Sequence, residues 1–149
     1  HLGGSGLGGG TIRGLCKLTA QVDDPEEINE LSMKGSQIGD YTLKDVISGP
    51  IGNLPEESIA VHLGNLDMMN KLEKEDVCRS IIYLVATNIA RLAATTALSA
   101  SLKKIVVVGR SPNFVLYKEI LTRWIEYAGL EVTFPEKGEF ATAIGALES

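Results

Sequence analysis

Apolar positions along this chain follow two periods, and the change of period marks its elements. Ile12, Leu15, Cys16 and Leu18 recur at helical spacing, which predicts a helix over residues 11–21. The glycines of the opening HLGGSGLGGGT run straight into it. Asp23-Asp24-Pro25-Glu26-Glu27 reads as a second helix start. Asp24 can cap free amides, Pro25 suits the first turn, and Glu27 stands three residues after the cap. That helix is expected to end near Lys34 and Gly35, with the glycine left-handed. Beyond it the pattern weakens. Val46 and Ile47 suggest a short strand, Gly49-Pro50 and Gly52-Asn53 suggest turns, and residues 58–66 (SIAVHLGNL) suggest a short helix.

The strongest helical signal covers residues 72–101. Glu73, Glu75 and Asp76 stand at its favourable dipole end. Val77, Ile81, Ile82, Leu84, Val85, Ile89, Leu92 and Ala93 then cover most of its circumference, so it is expected to be buried and to need a second surface to cover it. The period next shortens. Lys104-Ile105-Val106-Val107-Val108 is a β-branched run that stops at Gly109, and a helix is expected over residues 114–127, with Leu116, Ile120, Leu121 and Trp124 inward. Gly129 closes that helix, residues 130–134 alternate as a strand, and residues 141–147 form a last helix of small residues. Two strands joined by a helix predict a right-handed parallel crossover, so the class is α/β.

Composition narrows the setting. The chain has 149 residues, 44% hydrophobic and 22% charged, as expected for one folded domain or half of a larger one. A net charge of −5 without a Lys/Arg cluster argues against nucleic acid and anionic membranes as partners. The apolar runs are interrupted well short of the roughly 20 residues a bilayer needs, and the Gly-rich opening has no apolar secretion signal. Two cysteines and two histidines make neither a disulfide framework nor a spaced metal site. A soluble, cytoplasmic protein is expected.

Three segments offer chemistry. Gly8-Gly9-Gly10-Thr11 precedes a helix, which supplies free amides and a positive dipole end for an anion. Glycines let the backbone approach a phosphate, and Thr11 adds a hydroxyl; a flexible leader is the competing reading. No GxxxxGK[ST] is present. Val108-Gly109-Arg110-Ser111-Pro112 lies at a strand's carboxyl end, where open α/β sheets bind ligands. Gly109 would let a base pass close, and Arg110 or Ser111 could hold a ribose or phosphate; a plain connecting turn competes with that. In the terminal GEFATAIGAL, Gly145 and the alanines point to close helix packing. Cys16, Cys78 and His62 read as packing residues, and Asp45, Asp67 and Asp76 show no pattern of a carboxylate pair.

In this order the segments resemble the C-terminal half of the type II pantothenate kinases, staphylococcal and eukaryotic. The residues that carry the resemblance are Gly3-Gly4 with Gly8-Gly9-Gly10-Thr11-Ile12-Arg13-Gly14-Leu15, then Leu54-Pro55 with AVHLGNL at 60–66, then Val106-Val107-Val108-Gly109, then GEFATAIGAL at 138–147. The resemblance implies an actin-like fold of the acetate/sugar kinase and Hsc70 kind, in which two ribonuclease-H-like halves clamp ATP. It implies ATP- and Mg²⁺-dependent phosphorylation of pantothenate, the first step toward coenzyme A, in a homodimer formed through the helical half. ATP-binding residues would be Gly8, Gly9, Gly10, Thr11, Ile12 and Arg13 at the phosphates, with Gly109 and Arg110 beside the nucleoside. The family's Asp-Gly-Gly-Thr loop and catalytic glutamate belong to an N-terminal half outside this sequence, so no catalytic residue is expected here and the segment is expected to be inactive alone. His1 stands where the family usually carries a substrate-holding arginine. A non-catalytic ATP-binding regulatory or scaffold module is the alternative.

Overall fold

The computed structural model describes residues 3–47, 51–52 and 54–148. It is a mixed α/β structure, mostly helical, with two small sheets. In chain order the elements are α1 (Gly9–Ala20), α2 (Pro25–Lys34), β1 (Tyr41–Thr42), α3 (Leu43–Val46), β2 (Ile59–Val61), α4 (Lys74–Ser99), β3 (Lys104–Val106), α5 (Val115–Tyr127), β4 (Glu131–Thr133) and α6 (Ala141–Glu148). Short 3-10 turns occupy Leu66–Lys71, Ser111–Asn113 and Gly138–Phe140. The chain divides into two compact units, one holding Arg13–Leu84 and the other the residues up to Ile12 together with Val85 onward.

In the Arg13–Leu84 unit, buried residues include Cys16, Ala20, Val22, Ile28, Cys78, Ile81 and Ile82. The expected apolar face of α1 is narrower than its spacing suggests, because Leu18 is 79% exposed. Asp24 caps α2 as expected, its carboxylate accepting from the Glu27 amide at 2.9 Å. Gly35 is not left-handed; its backbone is extended (φ −68°, ψ 165°). Glycine is needed there for another reason, since a Cβ would run into the backbone carbonyl of Glu75.

Two short segments differ from expectation. Val46 ends the helical turn α3 instead of forming a strand, because Thr42 and Asp45 make a capping box. The Asp45 carboxylate accepts from the Thr42 hydroxyl at 2.6 Å and its amide at 2.8 Å, and these bonds hold Asp45 below its usual pKa. Residues 58–66 hold strand β2, not a helix. It pairs antiparallel with β1, and Leu63 beyond it turns through φ +52° with its amide donating to the buried Asp40. The expected turn at Gly49-Pro50 lies outside the described residues, as does Asn53.

In the other unit, β3 and β4 pair parallel, Lys104 with Glu131 through Val106 with Thr133, as the strand–helix–strand pattern predicts. Helix α5 buries Leu116, Ile120 and Leu121, with Ile125 in place of Trp124. Trp124 sits instead under the Arg91 guanidinium, 4.5 Å from its ring centre. Gly129 closes α5 at φ +75°. Against expectation, α6 is exposed, and a Cβ at Gly145 would meet nothing within 4 Å.

Helix α4 is shorter than its apolar run suggests and is not buried all round. A stripe through Cys78, Ile82, Val85, Ala86, Ala90, Ala94 and Ala97 is buried, whereas Leu92 and Leu98 are exposed. By length and composition α4 could cross a membrane, contrary to the reading of interrupted apolar runs. Charges such as Arg91 interrupt the run without making its average polar. Its buried stripe is also what a core helix presents.

Candidate functional site

The glycine loop and the strand-end turn come together in the unit that holds Val85 onward. The loop is braced by its own hydroxyls. Ser5 Oγ accepts from the Leu7 amide at 3.1 Å, while Thr11 Oγ1 accepts from the Gly8 amide and donates to the Gly6 carbonyl, both at 3.2 Å. Gly6 turns through φ +68°, which a side chain would resist. The first helical hydrogen bond of α1 runs from the Ile12 amide to the Gly8 carbonyl at 3.0 Å. The amides of Gly9, Gly10 and Thr11 precede that bond and have no acceptor within the helix. They carry the positive end of its dipole.

The expected phosphate residues therefore fall into two groups. Gly8, Gly9, Gly10 and Thr11 form the loop and the first turn of α1. Ile12 is fully buried with its amide already engaged. Arg13 falls in the other unit, where its Nε donates to the Asp23 carbonyl at 3.0 Å. His1 lies outside the described residues.

On the second side, β3 leads to Gly109, which adopts φ +100°, a conformation suited to glycine. Its amide donates to the Gly138 carbonyl at 2.8 Å. Gly138 is buried, and a Cβ there would lie 3.7 Å from the Val107 carbonyl oxygen. The terminal motif thus reaches the site through Gly138 at its first position, not through Gly145. Arg110 is exposed and leads the turn Ser111–Asn113. Asn113 donates to the Glu139 carboxylate at 3.2 Å, a second tie between these segments.

The two sides meet at Ser111. A Cβ on Gly9 would lie 3.0 Å from Ser111 Oγ. That hydroxyl is also hydrogen-bonded to the phenol of buried Tyr117; burial raises the Tyr117 pKa and the Ser111 bond works against it. Sequence spacing gave no sign of this meeting, which joins residues about a hundred positions apart. AVHLGNL at 60–66 lies in the other unit. There Cys16 and Cys78 are buried, and a hydrogen bond to Cys78, reinforced by burial, pushes the Cys16 thiol up, so it stays neutral. That environment suits a packed thiol better than a nucleophile.

The arrangement is a helix N-terminus with available amides beside a glycine turn at a strand's carboxyl end, a combination that suits a phosphate-bearing ligand. The Fumble family model matches residues 1–148. The chain belongs to the Fumble family. Among curated relatives, a type II pantothenate kinase of Staphylococcus epidermidis strain RP62A is 29% identical over 151 residues, covering 99% of this chain and 57% of the relative. One from Bacillus cereus strain G9842 is 28% identical over 148 residues, covering 97% and 54%. One from Staphylococcus haemolyticus strain JCSC1435 is 28% identical over 153 residues, covering 99% and 57%. This Fumble family chain spans about half the length of the curated relatives it matches.

Proposed function

We propose that this segment is the C-terminal portion of an ATP-dependent pantothenate kinase and forms one wall of its nucleotide site. The observation that carries the reading is the meeting of Gly9 and Ser111, which puts a helix start beside a strand-end glycine turn. Gly8, Gly9, Gly10 and Thr11 face the phosphates, with the Gly9, Gly10 and Thr11 amides as donors. Gly109 and Arg110 flank the nucleoside.

In this reading the whole protein has an actin-like fold, works in the cytoplasm, and takes its catalytic carboxylate from the N-terminal half. Among the described residues no group of three or more His, Cys, Asp or Glu side chains could hold a metal. Mg²⁺, if used, would neutralise charge on the ATP phosphates, with the loop amides of Gly9, Gly10 and Thr11 holding those phosphates from this side. The N-terminal half also covers the sheet: parallel strands are stable when both faces are covered, yet Val106 and Val108 are 55% and 51% exposed. The exposed Leu92, Leu98 and Leu102 supply apolar surface for a homodimer.

The test is ATP-dependent phosphorylation of pantothenate by the full-length protein. Thr11→Val removes the hydroxyl that ties Gly6 to Gly8, and is expected to raise the KM for ATP on the order of ten-fold with pantothenate KM unchanged. A full-length protein that forms no phosphorylated pantothenate would overturn the reading.

A further inference from the structure

We propose that Ser111 is a positioning residue that locks the strand-end turn against the glycine-led start of α1 and so sets the spacing of the loop amides for a phosphate chain. The proposal rests on the nucleotide reading above and adds to it a residue that the glycine motif does not contain.

Three contacts carry it. The Ser111 hydroxyl is held on one side by the buried Tyr117 phenol, which needs a hydrogen-bond partner in that environment. On the other side it faces Gly9, where a Cβ would lie 3.0 Å from Oγ but 3.9 Å from the Ser111 Cβ. The backbone around it is fixed, with Gly109 bonded to Gly138 at 2.8 Å and the Phe114 amide bonded to the Ser111 carbonyl at 3.1 Å. A side chain at position 9 would press on the Ser111 hydroxyl, the same group that bonds Tyr117. Glycine at 9 and serine at 111 act as one unit: the first leaves the space that the second fills.

The experiment measures ATP affinity in the full-length protein, together with hydrogen exchange of the 3–12 peptide without nucleotide. Gly9→Ala is expected to weaken ATP binding about ten-fold, the effect of a modest overpacking clash, and to speed exchange in that peptide. Ser111→Ala removes the 3.0 Å contact and leaves the 3.9 Å one, so adding Gly9→Ala in that background should change neither readout further. Tyr117→Phe frees the hydroxyl to rotate and should soften the Gly9→Ala penalty. The KM for ATP should rise while the pantothenate KM stays constant, whereas general destabilisation lowers apparent kcat and leaves both KM values unchanged. ATP binding and exchange left unchanged by Ser111→Ala alone, or simply additive losses for Gly9→Ala and Ser111→Ala, overturn this proposal alone. Failure of the unaltered protein to bind ATP overturns both readings.

Discussion

Asp76 gathers three donors on two oxygens. One oxygen accepts from the Ser36 amide and hydroxyl, each at 2.7 Å, and the other from the Glu73 amide at 3.1 Å. Burial raises its pKa, but these bonds outweigh burial and hold the carboxyl below the usual range. An unfolded aspartate titrates near about 3.9. The unfolded chain therefore takes up the proton first as pH falls. Stability from Asp76 is complete above that value and is lost as pH drops through the lower folded pKa. Asp76→Asn is expected to cost about 2 kcal/mol at neutral pH, the scale of hydrogen bonds to a charged group. Urea unfolding of the full-length protein from pH 7 to pH 3 checks this: the gap between variant and parent should narrow progressively as pH falls below about 4, and a gap constant with pH would refute it. In the sequence Asp76 is one of several acids at a helix start. Its capping role follows from local spacing, but its bond to Ser36, forty positions earlier, depends on Gly35 passing close to Glu75, which spacing does not reveal.

The long elements were readable because their signals are local. Helices α1, α2, α4 and α5 follow from apolar periodicity, the Asp24 cap and the Gly129 stop, and the β3–α5–β4 crossover follows from two β-branched runs around a helix. The short elements were not. Strands β1 and β2 have two and three residues, too few for a period, and a capping box at Thr42 decided between strand and helix at Val46. Exposure of β3 escaped the sequence as well, since a β-branched run reads as buried whether or not its cover is present. The proposed cover makes a prediction at this scale. In the full-length protein Val106→Lys should cost about 2 kcal/mol, because it would bury a charge against the added half. Leu147→Lys on α6, where Leu147 is 88% exposed, should stay within about 0.5 kcal/mol. Chemical unfolding of the two variants decides the matter, and equal small effects would mean that β3 stays open.

For the whole molecule, neither composition nor length reports that the chain corresponds to about half of a larger relative; 149 residues could fold as a unit. The order of several weak motifs carried that information. The loops brought together in one unit explain why the order matters: Gly9, Ser111, Gly109 and Gly138 come from the beginning, the middle of the crossover and the end of the chain. Phosphoryl transfer is catalysed by positioning and charge stabilisation, and it needs a group to orient or deprotonate the attacking alcohol as well as a cradle for the phosphates. The glycine loop offers backbone amides, which can stabilise charge but cannot take a proton from an acceptor alcohol. The proposed kinase reading therefore divides the labour, with the cradle in this segment and the base in the other half. On that reading the segment alone should form no 4'-phosphopantothenate at any ATP concentration, and the full-length protein should form it. Expressing the two portions together as separate chains should restore ATP-dependent turnover, because the cleft needs both walls but no covalent link between them. Turnover by the segment alone would place the base among residues 1–149 and refute that division.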